Sequence, residues 1–184
     1  MSKKVAVIAS ILKPVNDTRM FEKLGLSMRE SNKYQVNIIG FKAKFPAETE
    51  GLSFYTLYRG SRTSIKRLLA PFKFLGRLLK LKPHLVIVCT PELLWSAMLY
   101  KTISSTRLWY DVQENYRRNV KYQQAYPVLL KPFLMAAIAT TEWCSRPFID
   151  RYLLAEKGYL KELTFVNNKY TILENKYLGK PQVR

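Results

Sequence analysis

Short apolar runs alternate with amphipathic stretches along most of this chain. Val5-Ala6-Val7-Ile8-Ala9 is uninterrupted, the pattern of a strand buried on both faces. Asp17 or Thr18 caps a following helix, whose apolar stripe is Met20, Phe21, Leu24 and Met28. Tyr34 to Phe41 reads as a second strand and Leu52 to Tyr58 as a weaker third. Residues 62–82 have helical period, with Ile65, Leu68, Leu69, Phe72, Leu75, Leu78 and Leu79 on one stripe. Pro71 must kink that segment or start a second helix. Leu85 to Cys89 is another buried strand, Pro91 to Lys101 a helix and Arg107 to Val112 a strand. Arg117 to Tyr126 shows no clear period and reads as a long loop. Leu129 to Trp143 is a mostly apolar helix, Ile149 to Ala155 a strand, and a short helix runs through Leu163. Tyr170 to Leu173 closes the series. Strands alternating with helices in this way indicate βαβ units, a mostly parallel sheet and a Rossmann-like three-layer α/β domain.

Composition narrows the picture. The 184 residues suit one domain, and 48% of them are hydrophobic, enough for a core. Cys89 and Cys144 lie far apart, without a C-x-x-C or Cys/His ligand spacing, so neither a zinc site nor a redox pair is expected. Cys89 sits in an apolar run as a small core residue, and such usage suits a reducing cytoplasm. No secretory leader is expected at the N-terminus, and no apolar stretch reaches the roughly 20 residues a bilayer span needs. A soluble or peripheral protein follows.

Ligands of an open parallel sheet bind beyond the carboxyl ends of its strands. That rule selects Asn16, Asp17, Thr18 and Arg19 after the first strand and Thr90 and Glu92 after the fourth. From the fifth it selects Asp111, Gln113, Glu114, Asn115 and Tyr116. These segments should converge on one edge as a substrate-binding site. Asp17 and Thr18 serve equally well as plain helix caps, and Arg19 is positioned to pair with Glu22, with Glu114 or with an acceptor phosphate. The chain lacks G-x-G-x-x-G, a P-loop and a G-x-S-x-G elbow, which argues against a dinucleotide site, an NTPase and an α/β-hydrolase. His84, the only histidine, precedes its strand at the wrong edge for catalysis and reads as structural. No metal and no cofactor is expected.

At these segments a resemblance emerges. Asn16-Asp17-Thr18-Arg19-Met20-Phe21-Glu22-Lys23 resembles the first-loop-and-helix signature of family 4 glycosyltransferases. Lys82-Pro83-His84-Leu85-Val86-Ile87 resembles that family's strand entry. Tyr110-Asp111-Val112-Gln113-Glu114-Asn115-Tyr116 resembles its D-x-H-E motif, and Tyr170 to Lys176 its closing strand and Asn turn. The resemblance covers almost the whole chain in order. It implies one half of a GT-B enzyme: residues 1–178 as the N-terminal, acceptor-side domain, and residues 179–184 as the start of a linker to a missing C-terminal donor-binding domain. It further implies a retaining transfer from a nucleoside diphosphate sugar to a glycan or lipid-linked acceptor, inactive in this half alone. No catalytic set is complete here. Gln113 stands at the usual His position, and an amide hydrogen-bonds a sugar hydroxyl but exchanges no proton near neutral pH.

Charge adds a partner. Lys+Arg exceed Asp+Glu by 18, which favours polyanions. Between Glu50 and Glu92 there is no acidic residue, while Arg62, Lys66, Arg67, Lys73, Arg77 and Lys80 surround the leucine stripe. That is the composition of an interfacial amphipathic helix, so these cations, with surplus apolars such as Phe74, are expected to meet an anionic membrane. The expected location is the cytoplasm, peripheral on the inner face of the membrane. A nucleic-acid-binding protein is the rival reading on charge, though no recognition motif supports it. A non-catalytic accessory subunit is a third.

Overall fold

The computed structural model describes residues 3–43, 50–57, 65–124, 126–166 and 168–175. The proposed linker start, residues 179–184, and Arg62 lie outside them. Seven strands form one sheet in the order β3-β2-β1-β4-β5-β6-β7. They are β1 (Lys4–Pro14), β2 (Tyr34–Phe41), β3 (Leu52–Thr56), β4 (Leu85–Val88), β5 (Arg107–Val112), β6 (Arg151–Leu154) and β7 (Tyr170–Ile172). Every adjacent pair is parallel. The chain reverses its direction of travel across the sheet after β3, so the topological switch point lies between β1 and β4.

Parallel neighbours need crossover connections, and these put the helices on both faces. A wide-wound helix, Thr18–Leu26, runs into α1 (Ser27–Glu30) and covers one face with Met20 and Leu24. On the other face lie α2 (Ala70–Leu81), α3 (Leu94–Thr102) and α5 (Lys131–Ser145). The small α4 (Tyr116–Tyr122) packs on α5, and α6 (Tyr159–Glu162) precedes β7. Pro71 starts α2 after a 3-10 turn at Ile65–Leu69, since a proline at the first turn lacks only an N–H that has no intrahelical partner.

Three expectations from the sequence need correction. The stretch from Arg117 is not all loop: α4 forms because the Asn115 side chain accepts from the Arg118 amide while Tyr116 and Val120 are buried. The core-facing stripe of α2 is Ala70, Phe74 and Leu78. Leu68, Leu69, Phe72 and Leu79, assigned to a single stripe with Leu78, are exposed. Phe74 is therefore fully buried and unavailable to lipid.

The second-face core holds an aromatic cluster of Tyr110, Tyr152 and Phe165, with ring centroids about 6 Å apart. Against it lies Glu142 of α5, buried, accepting from the Tyr110 hydroxyl at 3.0 Å. Burial pushes the Glu142 carboxyl up to about 7, despite the Tyr110 hydrogen bond and the nearby Arg117 charge. The folded protein therefore holds this proton more tightly than the unfolded chain. The contribution of Glu142 to stability falls as pH rises from about 4.5 to about 7, then levels off. Glu142→Gln is expected to leave stability unchanged at pH 4 and to raise it above pH 7 by roughly 3 kcal/mol. Urea unfolding of both proteins across that range checks it; an equal gain at both ends would locate the charge elsewhere.

Candidate functional site

The carboxyl ends of β1, β4 and β5 bring the three selected segments to one edge. At the first, the chain leaves β1 by crossing the end of β2. Gly40 permits this: a Cβ there would lie 2.8 Å from the Lys13 carbonyl oxygen and 2.9 Å from the Val15 amide. The Ser10 hydroxyl accepts from the Leu12 and Lys13 amides, and the buried Thr90 hydroxyl accepts from the Ile11 amide, which fastens the turn to β4. Asp17 then caps the helix, accepting from the Arg19 and Met20 amides at 3.1 and 3.0 Å. Its carboxylate is occupied by the cap, which leaves Asn16 and Thr18 as the exposed residues of this loop.

The centre of the edge is a buried ion pair. Arg19 meets Asp111 through Nε at 2.9 Å and Nη2 at 2.5 Å, and the two side chains are 5% and 0% exposed. Its partner is thus neither Glu22 nor Glu114, and its guanidinium is not turned out toward a soluble phosphate. The other nitrogen, Nη1, donates to the Leu173 carbonyl at 2.7 Å and to Asn175 Oδ1 at 2.6 Å. Lys23 Nζ donates to the Glu174 carbonyl beside it. Burial alone would lower the Arg19 pKa; the Asp111 hydrogen bonds and charge outweigh it and raise it. The guanidinium stays charged and acts as a hub between the first loop, β5 and the segment following β7.

Gln113 completes this centre. It is nearly buried, and its Nε2 donates to Asp111 Oδ2 at 2.8 Å. A carboxylate only accepts, so Asp111 fixes which end of the amide faces it and which end faces away. The Tyr159 hydroxyl donates to the Gln113 carbonyl oxygen at 3.2 Å and holds the backbone. Beneath, the Tyr116 hydroxyl donates to the Cys89 carbonyl at 2.5 Å. Burial, reinforced by Asp111, pushes the Cys89 thiol well up, so it is an inert core residue.

Toward solvent the polar groups are looser. Lys13 Nζ and Glu114 Oε1 pair at 3.0 Å, and Asn119 donates to Glu114 Oε2 at 2.6 Å. Asn115 caps α4 and donates to Glu162 at 3.1 Å. An open cleft of ≈ 300 Å³ between α4, α5 and the segment after α6 is lined by Asn115, Arg118, Lys121, Tyr122, Met135 and Phe165, among others. Lys13, in the first selected segment but not among the residues named from it, and Asn119, which sequence reasoning did not select, join the site. Lys13 lies near the end of β1, beyond the apolar run that marked the strand, whereas Asn119 gave no signal once its segment read as loop. Among the described residues no group of three or more His, Cys, Asp or Glu side chains is placed to hold a metal ion. His84 sits at the opposite edge, where its Nδ1 accepts from the Val5 amide at 3.2 Å.

The basic residues of the α2 region divide. Arg67 is ion-paired with Glu92, and Arg77 lies 4.3 Å over the Tyr55 ring. Glu92 is thus engaged with the 3-10 turn before α2 and not with Arg19. Lys73 and Lys80 are exposed; the Lys66 side chain lies outside the described residues.

No protein-family model matches the chain, and no curated protein is similar to it in sequence. Among solved structures, the fold matches a sucrose-phosphate synthase from Thermosynechococcus elongatus, a GT-B glycosyltransferase, with a TM-score of 0.64 at 12% identity. The match covers 94% of this chain and 48% of that one, so the chain spans about half the length of that protein. The seven-stranded parallel domain is accordingly a Rossmann-like fold of the kind found in half of a GT-B enzyme.

Proposed function

We propose that the chain is the acceptor-side half of a retaining, family 4 glycosyltransferase, and that it acts in the cytoplasm with a separate donor-binding domain. The observation that carries this reading is the Arg19–Asp111–Gln113 centre at the switch-point edge of a sheet shared with half of a sucrose-phosphate synthase. Polar groups at this edge suit sugar hydroxyls. Asn16, Thr18, Glu114 and Asn115 offer donors and acceptors on its solvent side, while Gln113 is oriented from behind by Asp111. The acceptor, a glycan or a lipid-linked sugar, sits over them. The donor, a nucleoside diphosphate sugar, is held by the other domain, and its anomeric carbon is presented to the acceptor hydroxyl across the cleft. Gln113 has no titratable proton in the working range, so it holds a hydroxyl in place and leaves proton transfer to other groups.

The same reading makes the isolated chain inert toward donors. Nucleoside diphosphate sugars incubated with the purified protein should be neither hydrolysed nor transferred, and addition of the donor-binding half should start transfer. Chromatographic detection of free nucleotide measures both. Turnover by the chain alone would overturn the reading.

A further inference from the structure

The outer surface of the second-face helix layer has the wrong polarity for water. Along α5 the polar Thr141, Glu142 and Ser145 are buried. The outward stripe begins in the 3-10 turn before α5 with Leu129, 85% exposed, and continues with Phe133 at 74% and Trp143 at 65%. Helical geometry places Ala136, Ala137 and Thr140 between them, and all three are exposed. α3, which packs beside α5, turns out Trp95, Leu99 and Ile103 at four-residue spacing. α2, on the far side of α3, turns out Phe72 at 73%, with Leu68 and Leu79 in line. Three neighbouring helices thus present parallel apolar stripes. Scattered exposed apolar residues are ordinary; a continuous face across three helices is a binding surface.

Charge identifies what covers it. Between Glu50 and Asp150 the only acidic residues are Glu92, Asp111, Glu114 and Glu142. Glu92 is paired with Arg67, Asp111 with Arg19, Glu114 with Lys13, and Glu142 is buried. Round the apolar face stand the exposed Lys73 and Lys80 on α2 and Arg117 and Lys121 on α4, with Arg118 paired to Glu162 beside them. Such a rim repels a second copy of this chain, whose charge is +18. It attracts an anionic surface, and the exposed Trp95 and Trp143 suit the interface between lipid headgroups and tails.

We propose that the outer face of α2, α3 and α5, together with the 3-10 turn before α5, seats the domain flat on an anionic bilayer, with Leu129 and Phe133 inserted and the cations of α2 and α4 at the headgroups. This differs from a membrane helix confined to α2: the anchor lies on α5, and Phe74 takes no part. It rests on the helical face and not on the sugar-transfer reading. Among the described residues no helix is long and apolar enough to cross a membrane, so the contact is a surface one.

The test uses vesicles of roughly equal parts phosphatidylcholine and phosphatidylglycerol beside vesicles of phosphatidylcholine alone. The protein should sediment with the first and not with the second, with its tryptophan emission shifted to the blue. Leu129→Asp/Phe133→Asp should weaken partitioning on the order of a hundredfold, because both substituted side chains lose a nonpolar environment. Circular dichroism should stay native, since both residues are exposed. The milder Leu129→Ala/Phe133→Ala should fall between. Lys73→Glu/Lys80→Glu should weaken binding most at low salt. Failure of the native protein to bind anionic vesicles overturns the proposal. So does binding unaffected by either Leu129/Phe133 variant, which would mean charge alone. So does a concentration-dependent dimer that the same variants abolish, which would assign the face to a second copy. Tight binding to nucleic acid with no lipid preference would overturn it as well.

Discussion

Arg19→Ala should destabilise the domain by about 3–5 kcal/mol, the cost of leaving a buried charge without its partner. Asp111 is fully buried, and Arg19 supplies the cation that bonds both of its carboxylate oxygens. Gln113 donates one neutral bond to Asp111, too little to replace a guanidinium. The pair itself need not contribute that much, because desolvation offsets most of the attraction between buried charges. Arg19→Met/Asp111→Leu should therefore recover most of the loss. Urea titration of the single and double variants measures this, and a single-variant loss below about 1 kcal/mol would show that water reaches Asp111. A second readout follows from the hub geometry. Arg19 also holds the Leu173 carbonyl and Asn175, while the Leu173 amide bonds the Leu154 carbonyl at 2.8 Å. Loss of the guanidinium should speed hydrogen exchange at Leu173 in both variants, even where global stability is restored.

Phe74→Ala and Phe72→Ala should differ sharply although the residues are two apart on one helix. Phe74 is completely buried, in a cluster with Leu78, Leu93 and Val86. Its truncation leaves a cavity in a close-packed interior and should cost about 3–5 kcal/mol. Phe72 is largely exposed, and Phe72→Ala should change stability by no more than about 0.5 kcal/mol. On vesicles the order inverts. Phe72→Ala weakens partitioning while the fold is intact, and Phe74→Ala acts only through unfolding. Thermal unfolding and co-sedimentation, run on the same preparations, separate the two effects; equal losses of stability would mean that α2 is rotated on the sheet.

Much of this was legible in the chain. Val5 to Ala9 and Leu85 to Cys89 are continuous apolar runs, and Ala6 to Ala9 and Leu85 to Cys89 are buried on both faces, as central strands between helical layers must be. Alternation of strands and helices fixed the parallel class, and the switch-point rule then placed the loops after β1, β4 and β5 on one edge. Which residues at that edge contact each other was not legible. Arg19 and Asp111 are far apart in the chain and meet only because β5 lies next to β4 and β4 next to β1. Nothing local distinguishes Asp111 from Glu22 or Glu114 as a partner. α4 was missed for a related reason: its burial depends on α5, and seven residues carry too little period to declare a helix.

The chain by itself determined the fold class, the edge on which the polar segments converge and the basic surplus, because each follows from residue type and local period. Local period put the apolar residues around α2 on a single stripe, although α2 is apolar on more than one side. Tertiary structure alone decided which side the sheet takes. The sheet chose Ala70, Phe74 and Leu78, whose four-residue spacing packs them against β-strand side chains, and it left Leu68, Phe72 and Leu79 to the outside. It likewise turned the polar residues of α5 inward, where Tyr110 hydrogen-bonds Glu142, and Phe133 and Trp143 outward. A helix with apolar residues on opposite faces has no preferred orientation of its own. Only the shape and hydrogen-bonding needs of what it packs against can set one, and neither is written in a local stretch of sequence.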